Sequence, residues 1–152
     1  MSFKSRHKWL ILIVIMVAIA IRGYSYYYPK TKILINNKIF TVLTADTPSR
    51  RFRGLSHRKD LGKYDGMLFK FDTSARHIFV MRDMNFALDI IWIKDNKTVD
   101  ITYNAQPESN KIDIELTKLI PLYPANMALE VPAGFTTNNN VKIGDIISLI
   151  ED

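Results

Sequence analysis

The chain has 152 residues, a net charge of +6 and no cysteine. The missing cysteine excludes disulfides, thiolate metal sites, iron–sulfur clusters and cysteine nucleophiles. Five of the excess positive charges fall in residues 1–30, leaving residues 31–152 at a net +1. A near-neutral body lacks the field that draws phosphate backbones, which excludes nucleic acid as the partner.

Lys4, Arg6, His7 and Lys8 precede thirteen apolar residues, WLILIVIMVAIAI at 9–21, and Arg22 follows. A bilayer core asks for about 20 apolar residues and roughly 17 at the least, so this run has the length of a secretory signal's hydrophobic region. Ala18-Ile19-Ala20 offers the small-x-small pattern of a cleavage site. Against cleavage, the run continues through that site and a charge follows at once. The sequence therefore favours an uncleaved anchor over residues 9–28, with membrane contact through those residues. Arg22 would snorkel toward the outer face, among an interfacial belt of Tyr24, Tyr26, Tyr27 and Tyr28, with Trp9 at the opposite interface. Basic residues ahead of the span favour a cytoplasmic amino terminus, a single pass and an extracytoplasmic body. A cleaved signal, giving a secreted or periplasmic protein, and a buried helix of a soluble protein are the alternatives. The division is thus 1–30, signal-anchor and juxtamembrane linker, and 31–152, a single extracytoplasmic domain of a size that one core can hold.

Residues 32–35 and 38–43 are β-rich and separated by Asn36-Asn37, a hairpin signal because Asn tolerates positive φ. Thr47-Pro48 starts a helix to about residue 55, with Thr47 as cap. Strands are expected at 67–71, 78–84, 88–94, 98–104, 112–117, 127–131 and 146–150, with a second hairpin at Asp95-Asn96. Residues 88–93 are nearly all apolar, as in a strand buried on both faces. Residues 133–139 could form one helical turn, and Gly144-Asp145 turns into the last strand. The fold class is α+β and mainly β: a compact curved sheet or partly open barrel of about eight short strands with one or two small helices.

Several residue groups could carry chemistry. Residues 50–63 hold six basic side chains against Asp60, a local excess of +5. This suits anionic headgroups or an acidic partner, and equally a solvated surface. Asp89 and Glu130 interrupt apolar runs, where an unpaired charge is costly. Close together they could act as acid and base in an envelope hydrolase, and apart they are structural ion pairs. His77 with Met67, Met81 and Met84 could hold Cu(I), although methionine in an apolar strand is ordinarily core filler. Ser56 and His57 adjoin without a Gly-x-Ser-x-Gly elbow, which does not make a triad.

Arg53-Gly54-Leu55, Asp65-Gly66-Met67-Leu68-Phe69, the window FVMRDMNFALDIIWI at 79–93, Ala105-Gln106-Pro107, Leu129-Glu130, Gly134 and Gly144-Asp145 occur in that order. This ordered set resembles the prokaryotic family called domain of unknown function 192, over residues 38–150. The resemblance implies a compact β-dominated domain, often behind a signal or anchor, and no established activity, cofactor or substrate. Members usually carry tryptophan where Val80 stands and proline where Ala87 stands. If that tryptophan lines a groove, this chain lacks the platform; if it packs, Trp92 or Phe86 could fill the space. The expected function is non-enzymatic binding of an unknown envelope ligand or protein. Arg53, Met67, Met81, Arg82, Asp83 and Asp89, which lie in or beside the family-like motifs, form the expected ligand site. No cofactor or metal is expected.

Overall fold

The computed structural model describes residues 3–108 and 111–150. In chain order it forms α1 (Phe3–Tyr26), β1 (Lys30–Ile35), β2 (Lys38–Ala45), α2 (Pro48–Arg53), β3 (Gly66–Ala75), β4 (Leu88–Lys94), β5 (Lys97–Ala105), a 3-10 turn (Asp113–Glu115), β6 (Ala125–Pro132), α3 (Phe135–Asn138) and β7 (Ile147–Ile150). Local chemistry sets many of these boundaries. Asn36 and Asn37 take φ of 47° and 64°, and Asp95 and Asn96 take 50° and 66°. Both pairs make the left-handed two-residue turns that match strand twist, so β1 pairs with β2 and β4 with β5. Thr47 caps α2, its Oγ1 accepting the Arg50 amide at 3.3 Å, and Pro48 stands where no amide donor is needed.

The sheet has seven strands in the order β5-β4-β6-β3-β2-β1-β7, with β2 and β3 parallel and the other pairs antiparallel. Its two edges meet at one end. Lys97 bridges Ile146, the Thr98 amide donates to Asp145 O at 2.9 Å, and the Ile147 amide donates to Asn96 O at 2.8 Å. The result is a curled half-barrel, mainly β with small helices, as the pattern of short strands predicts.

Alternation along the strands builds two cores. On the inner face Ile33, Ile91, Ile101, Leu129 and Ile147 draw both ends of the strand order together, with Phe135 of α3 packed against them. On the outer face Leu43, Met67, Ile90, Trp92 and Ala128 are covered by Leu55, Leu61, Met81 and Met84 from the connecting loops. β4 serves both cores and is buried from Leu88 to Ile93, as its apolar run predicts.

β3 begins at a glycine for a steric reason. A Cβ on Gly66 would stand 2.3 Å from the Glu130 carbonyl oxygen and 2.9 Å from Val131 Cγ1. Backbone cannot yield that distance cheaply. Gly66→Ala is therefore expected to lose roughly 2–4 kcal/mol in urea unfolding, through overpacking between β3 and β6. An unchanged urea midpoint would show that the two strands separate freely.

Four expectations are corrected. Residues 78–84 form no strand: Phe79 makes an isolated bridge to Leu119, and Asp83 then turns left-handed at φ 50°. Residues 112–117 form the 3-10 turn instead of a strand, because Glu108 clamps the segment, accepting from the Thr117 amide at 2.7 Å and its hydroxyl at 2.8 Å. Seven of the nine segments expected as strands therefore form, in keeping with a curved sheet of about eight short strands. Tyr28 joins the body rather than an interfacial belt: it is buried, and its hydroxyl donates to Gly54 O at 3.2 Å. The helix accordingly ends at Tyr26, two residues short of the span expected from sequence.

Along α1, Trp9 and the apolar residues through Ile21 are exposed. Among the described residues no helix is long and apolar enough to cross a membrane. The side chains of Lys4, Arg6, His7 and Tyr26, which belong to the expected anchor, lie outside those described.

Candidate functional site

Glu130 lies mid-β6, opposite Met67 of β3 and Ile90 of β4. Its nearest neighbours along this outer-face row are apolar, Met67 and then Leu43 on one side and Ile90 on the other. Its side chain is buried, and among the described residues Oε2 has no hydrogen-bond partner. Burial pushes the Glu130 carboxyl up to about 8, so at neutral pH it is a neutral acid able to donate a proton in a hydrogen bond.

A cleft of about 260 Å³ opens over this carboxyl. Phe69 and Phe79 form its apolar floor, meeting edge to face at 4.8 Å, with Leu55 and Met84 beside them. Arg51, Arg53 and Arg82 stand at its rim. Arg51 is held in place by donating from Nη1 to Lys70 O at 2.8 Å and Asp46 O at 3.1 Å. Arg82 donates from Nε to Asp113 at 2.7 Å and lies 4.5 Å from the Phe52 ring. Arg53 meets the Tyr28 hydroxyl, whose own pKa is raised by burial. A second cleft of about 510 Å³ adjoins the first across the end of α2 and shares Phe52, Arg53, Gly54, Ser56 and Arg82 with it.

Two strained loops build the rim. Gly54 takes φ 49° and ψ −130°, a conformation open in practice to glycine alone, and a Cβ there would come within 3.3 Å of the Phe69 ring. His57 and Asp83 both hold positive φ, at 62° and 50°, at facing positions. Each left-handed non-glycine costs on the order of 1 kcal/mol and persists only where its surroundings fix it. The fixing bonds run between the loops: His57 N to Asp83 O at 2.8 Å, Ser56 Oγ to Arg82 O at 2.8 Å, and Asn85 Nδ2 to Arg58 O at 2.8 Å.

Of the residues expected at the ligand site, Arg53 and Arg82 line both clefts and Asp83 lines the second. Met67 and Met81 lie beneath, fully or nearly buried in the outer core. Asp89 stands apart. Its Oδ1 accepts the Asn104 amide at 2.9 Å, and its Oδ2 accepts the Gly134 and Thr136 amides at 3.1 Å each and the Thr136 hydroxyl at 2.5 Å. This carboxylate ties the end of β5 and the start of α3 to β4.

The strand register also separates Asp89 from Glu130. Asp89 is opposite Val131, an inner-face residue, whereas Glu130 is opposite Ile90, an outer-face residue. The two carboxyls point to opposite sides of the sheet and cannot share a substrate as acid and base. The copper set does not assemble either. His77 stacks on Phe71 at 3.6 Å with Nε2 against Thr73 O at 3.1 Å, while the three methionines are buried in the outer core. Among the described residues no three His, Asp or Glu side chains gather as a metal site. His57 does pair with Asp83 at 3.4 Å, but Ser56 gives its hydroxyl hydrogen to Arg82 O.

Phe52, Gly54 and Ser56 line both clefts and were not selected by sequence reasoning. Their signal is Gly54 itself, which sits beside Arg53 in the motif already noted. Val80, the position at which the family resemblance implies tryptophan, lines the cleft. Trp92 fills the core instead, with Nε1 donating to Thr102 Oγ1 at 3.0 Å.

The profile of domain of unknown function 192, described as uncharacterized ACR, matches residues 31–149. The chain belongs to the domain of unknown function 192 family. Its fold is similar to that of a candidate transcription regulator from Sinorhizobium meliloti 1021, at 28% identity and a TM-score of 0.71, covering 80% of this chain and 95% of that one. It is also similar to a protein of unknown function from Novosphingobium aromaticivorans DSM 12444, at 25% identity and a TM-score of 0.66, covering 80% and 84% of the two chains. No curated protein matches the chain.

Proposed function

We propose that this domain binds a ligand without covalent chemistry, in the cleft over Glu130, and that α1 holds it at the extracytoplasmic face of the cell membrane. The observation that carries the binding reading is Oε2 of Glu130, a buried polar atom with no partner among the described residues, at the base of an arginine-rimmed cleft. Proteins rarely leave such atoms unsatisfied, and a ligand acceptor would satisfy it. The chemistry favours a ligand with an acceptor at its inner end, apolar surface against Phe69 and Phe79, and negative charge near the rim arginines. The separated carboxylates and the committed Ser56 hydroxyl favour binding over hydrolysis.

The attachment reading rests on the exposed apolar residues of α1, which lipid would cover. The apolar run at 9–21 carries no charge and stands between Lys8 and Arg22, whose long side chains can snorkel to the two interfaces and so extend a short run. Residues 1–30 are then the anchor and 31–152 the binding domain. Release of the domain after signal cleavage would leave a chain starting after Ala20, which intact mass distinguishes.

Thermal shift of the full chain in detergent, against short-chain phosphatidylglycerol, a muropeptide and a diacidic peptide, tests the binding reading. A ligand at about 100 times its Kd adds roughly 2.7 kcal/mol, worth several degrees. The expected result is a shift with wild type that disappears in Glu130→Leu. A shift that survives this substitution undiminished would place binding elsewhere.

A further inference from the structure

Exposed apolar side chains stand at and near the clefts, Phe52 among their lining residues. Phe52, at the end of α2, is 73% exposed, and Ile112 and Ile114 beside the 3-10 turn are 65% and 84% exposed. They form one surface, because Arg82 lies over the Phe52 ring while its Nε holds Asp113, the residue between the two isoleucines. The connection after α2 carries Arg58, Lys59 and Lys63 with two acids, Asp60 and Asp65, the second of which turns to β2 and accepts the Thr41 amide at 2.7 Å. Phe52 lines the second cleft together with Arg53, Arg58 and Arg82, and an apolar tip beside such cations matches a lipid interface: the tip enters among the acyl chains while the cations meet phosphate. The same surface adjoins the exit of α1, since the Arg50 guanidinium of α2 lies 5.2 Å from the Tyr24 ring and its Nε donates to Tyr27 O at 2.9 Å.

We infer that Phe52, Ile112 and Ile114 insert into an anionic membrane, with Arg58, Lys59 and Lys63 against the lipid phosphates, so that the cleft opens at the bilayer surface. This rests on the proposed insertion of α1, which brings Tyr24, and α2 with it, to headgroup level. Docked this way, the rim arginines face the lipid and a ligand reaches Glu130 along the membrane plane. Charge complementarity commits the surface to anionic lipid rather than zwitterionic lipid.

Tryptophan quenching in vesicles tests the surface and the anchor separately. The chain has two tryptophans: Trp92, fully buried, is an internal reference, and Trp9, exposed on α1, reports helix insertion. Phe52→Trp and Ile114→Trp add reporters at exposed positions that leave the core intact. The full chain is reconstituted with brominated phosphatidylcholine, with and without brominated phosphatidylglycerol. The expected result is loss of most Trp9 emission in both, and loss of most of the added emission only with phosphatidylglycerol, reversed by about 0.5 M salt through screening. Added tryptophans that keep their full, water-like emission in both vesicles would overturn the inference, whatever Trp9 does. Quenching of the added tryptophans with Trp9 unquenched would support the surface while removing the α1 anchor.

Discussion

Raising the pH from 5 to 8 is expected to lower the stability of the wild-type domain by on the order of 3–5 kcal/mol, and Glu130→Gln is expected to abolish most of that loss. The sign follows from linkage. The Glu130 carboxyl is raised from its ordinary 4.5 to about 8 in the folded protein. Below pH 4.5 both folded and unfolded states are protonated and the group costs nothing on ionisation. Between 4.5 and 8 the unfolded chain releases its proton while the folded chain keeps it, so unfolding gains about 1.4 kcal/mol per pH unit. Above the folded value both states are ionised and the loss is complete. Glutamine has the same shape and cannot ionise, so the difference between the two profiles isolates this group. In thermal unfolding the wild-type Tm should fall by roughly 10 °C more than that of the variant across this range. Parallel profiles would mean that Glu130 is solvated or paired in solution. A binding cleft that keeps such a group trades stability for a ready hydrogen-bond donor.

Asp89→Asn is expected to cost roughly 3–5 kcal/mol in urea unfolding, because it breaks a buried charge network. Oδ2 faces three donors and Oδ1 faces one. An amide must turn its NH2 toward one of these sets, placing donor against donor. Thr136→Val removes only the hydroxyl and should cost about 1–2 kcal/mol. The alternative expected from sequence, a ligand contact, predicts full stability with lost binding. A normal urea midpoint for Asp89→Asn would restore that alternative and remove the clamp.

The contrast between these two acids shows what was legible in the sequence. Both appear as lone carboxylates in apolar strands, and both are buried. Their faces follow from the β4–β6 register, a pairing between segments more than thirty residues apart in the chain that no local pattern specifies. Turn chemistry, by contrast, is local. Asn36-Asn37, Asp95-Asn96 and Thr47-Pro48 name their own conformations, and the hairpins and α2 stand where those residues predict. Residues 78–84 misled because Ile78, Phe79 and Val80 look like a strand, while the bonds that bend the segment come from residues 56–58 in another loop. Arg53 and Arg82, named from the motifs that hold them, line both clefts. Phe52 was missed because an aromatic in a short helix ordinarily signals burial, and only the structure shows it exposed.

Carbon-13 titration of the Glu130 side-chain carboxyl, in full chain labelled at glutamate, tests the central claim most directly. The account predicts a midpoint near 8, well above the ordinary 4.5, with Glu130→Gln assigning the signal. A midpoint in the ordinary carboxylate range would mean a charged, satisfied or hydrated side chain, and would contradict a cleft whose base offers a neutral acid to its ligand.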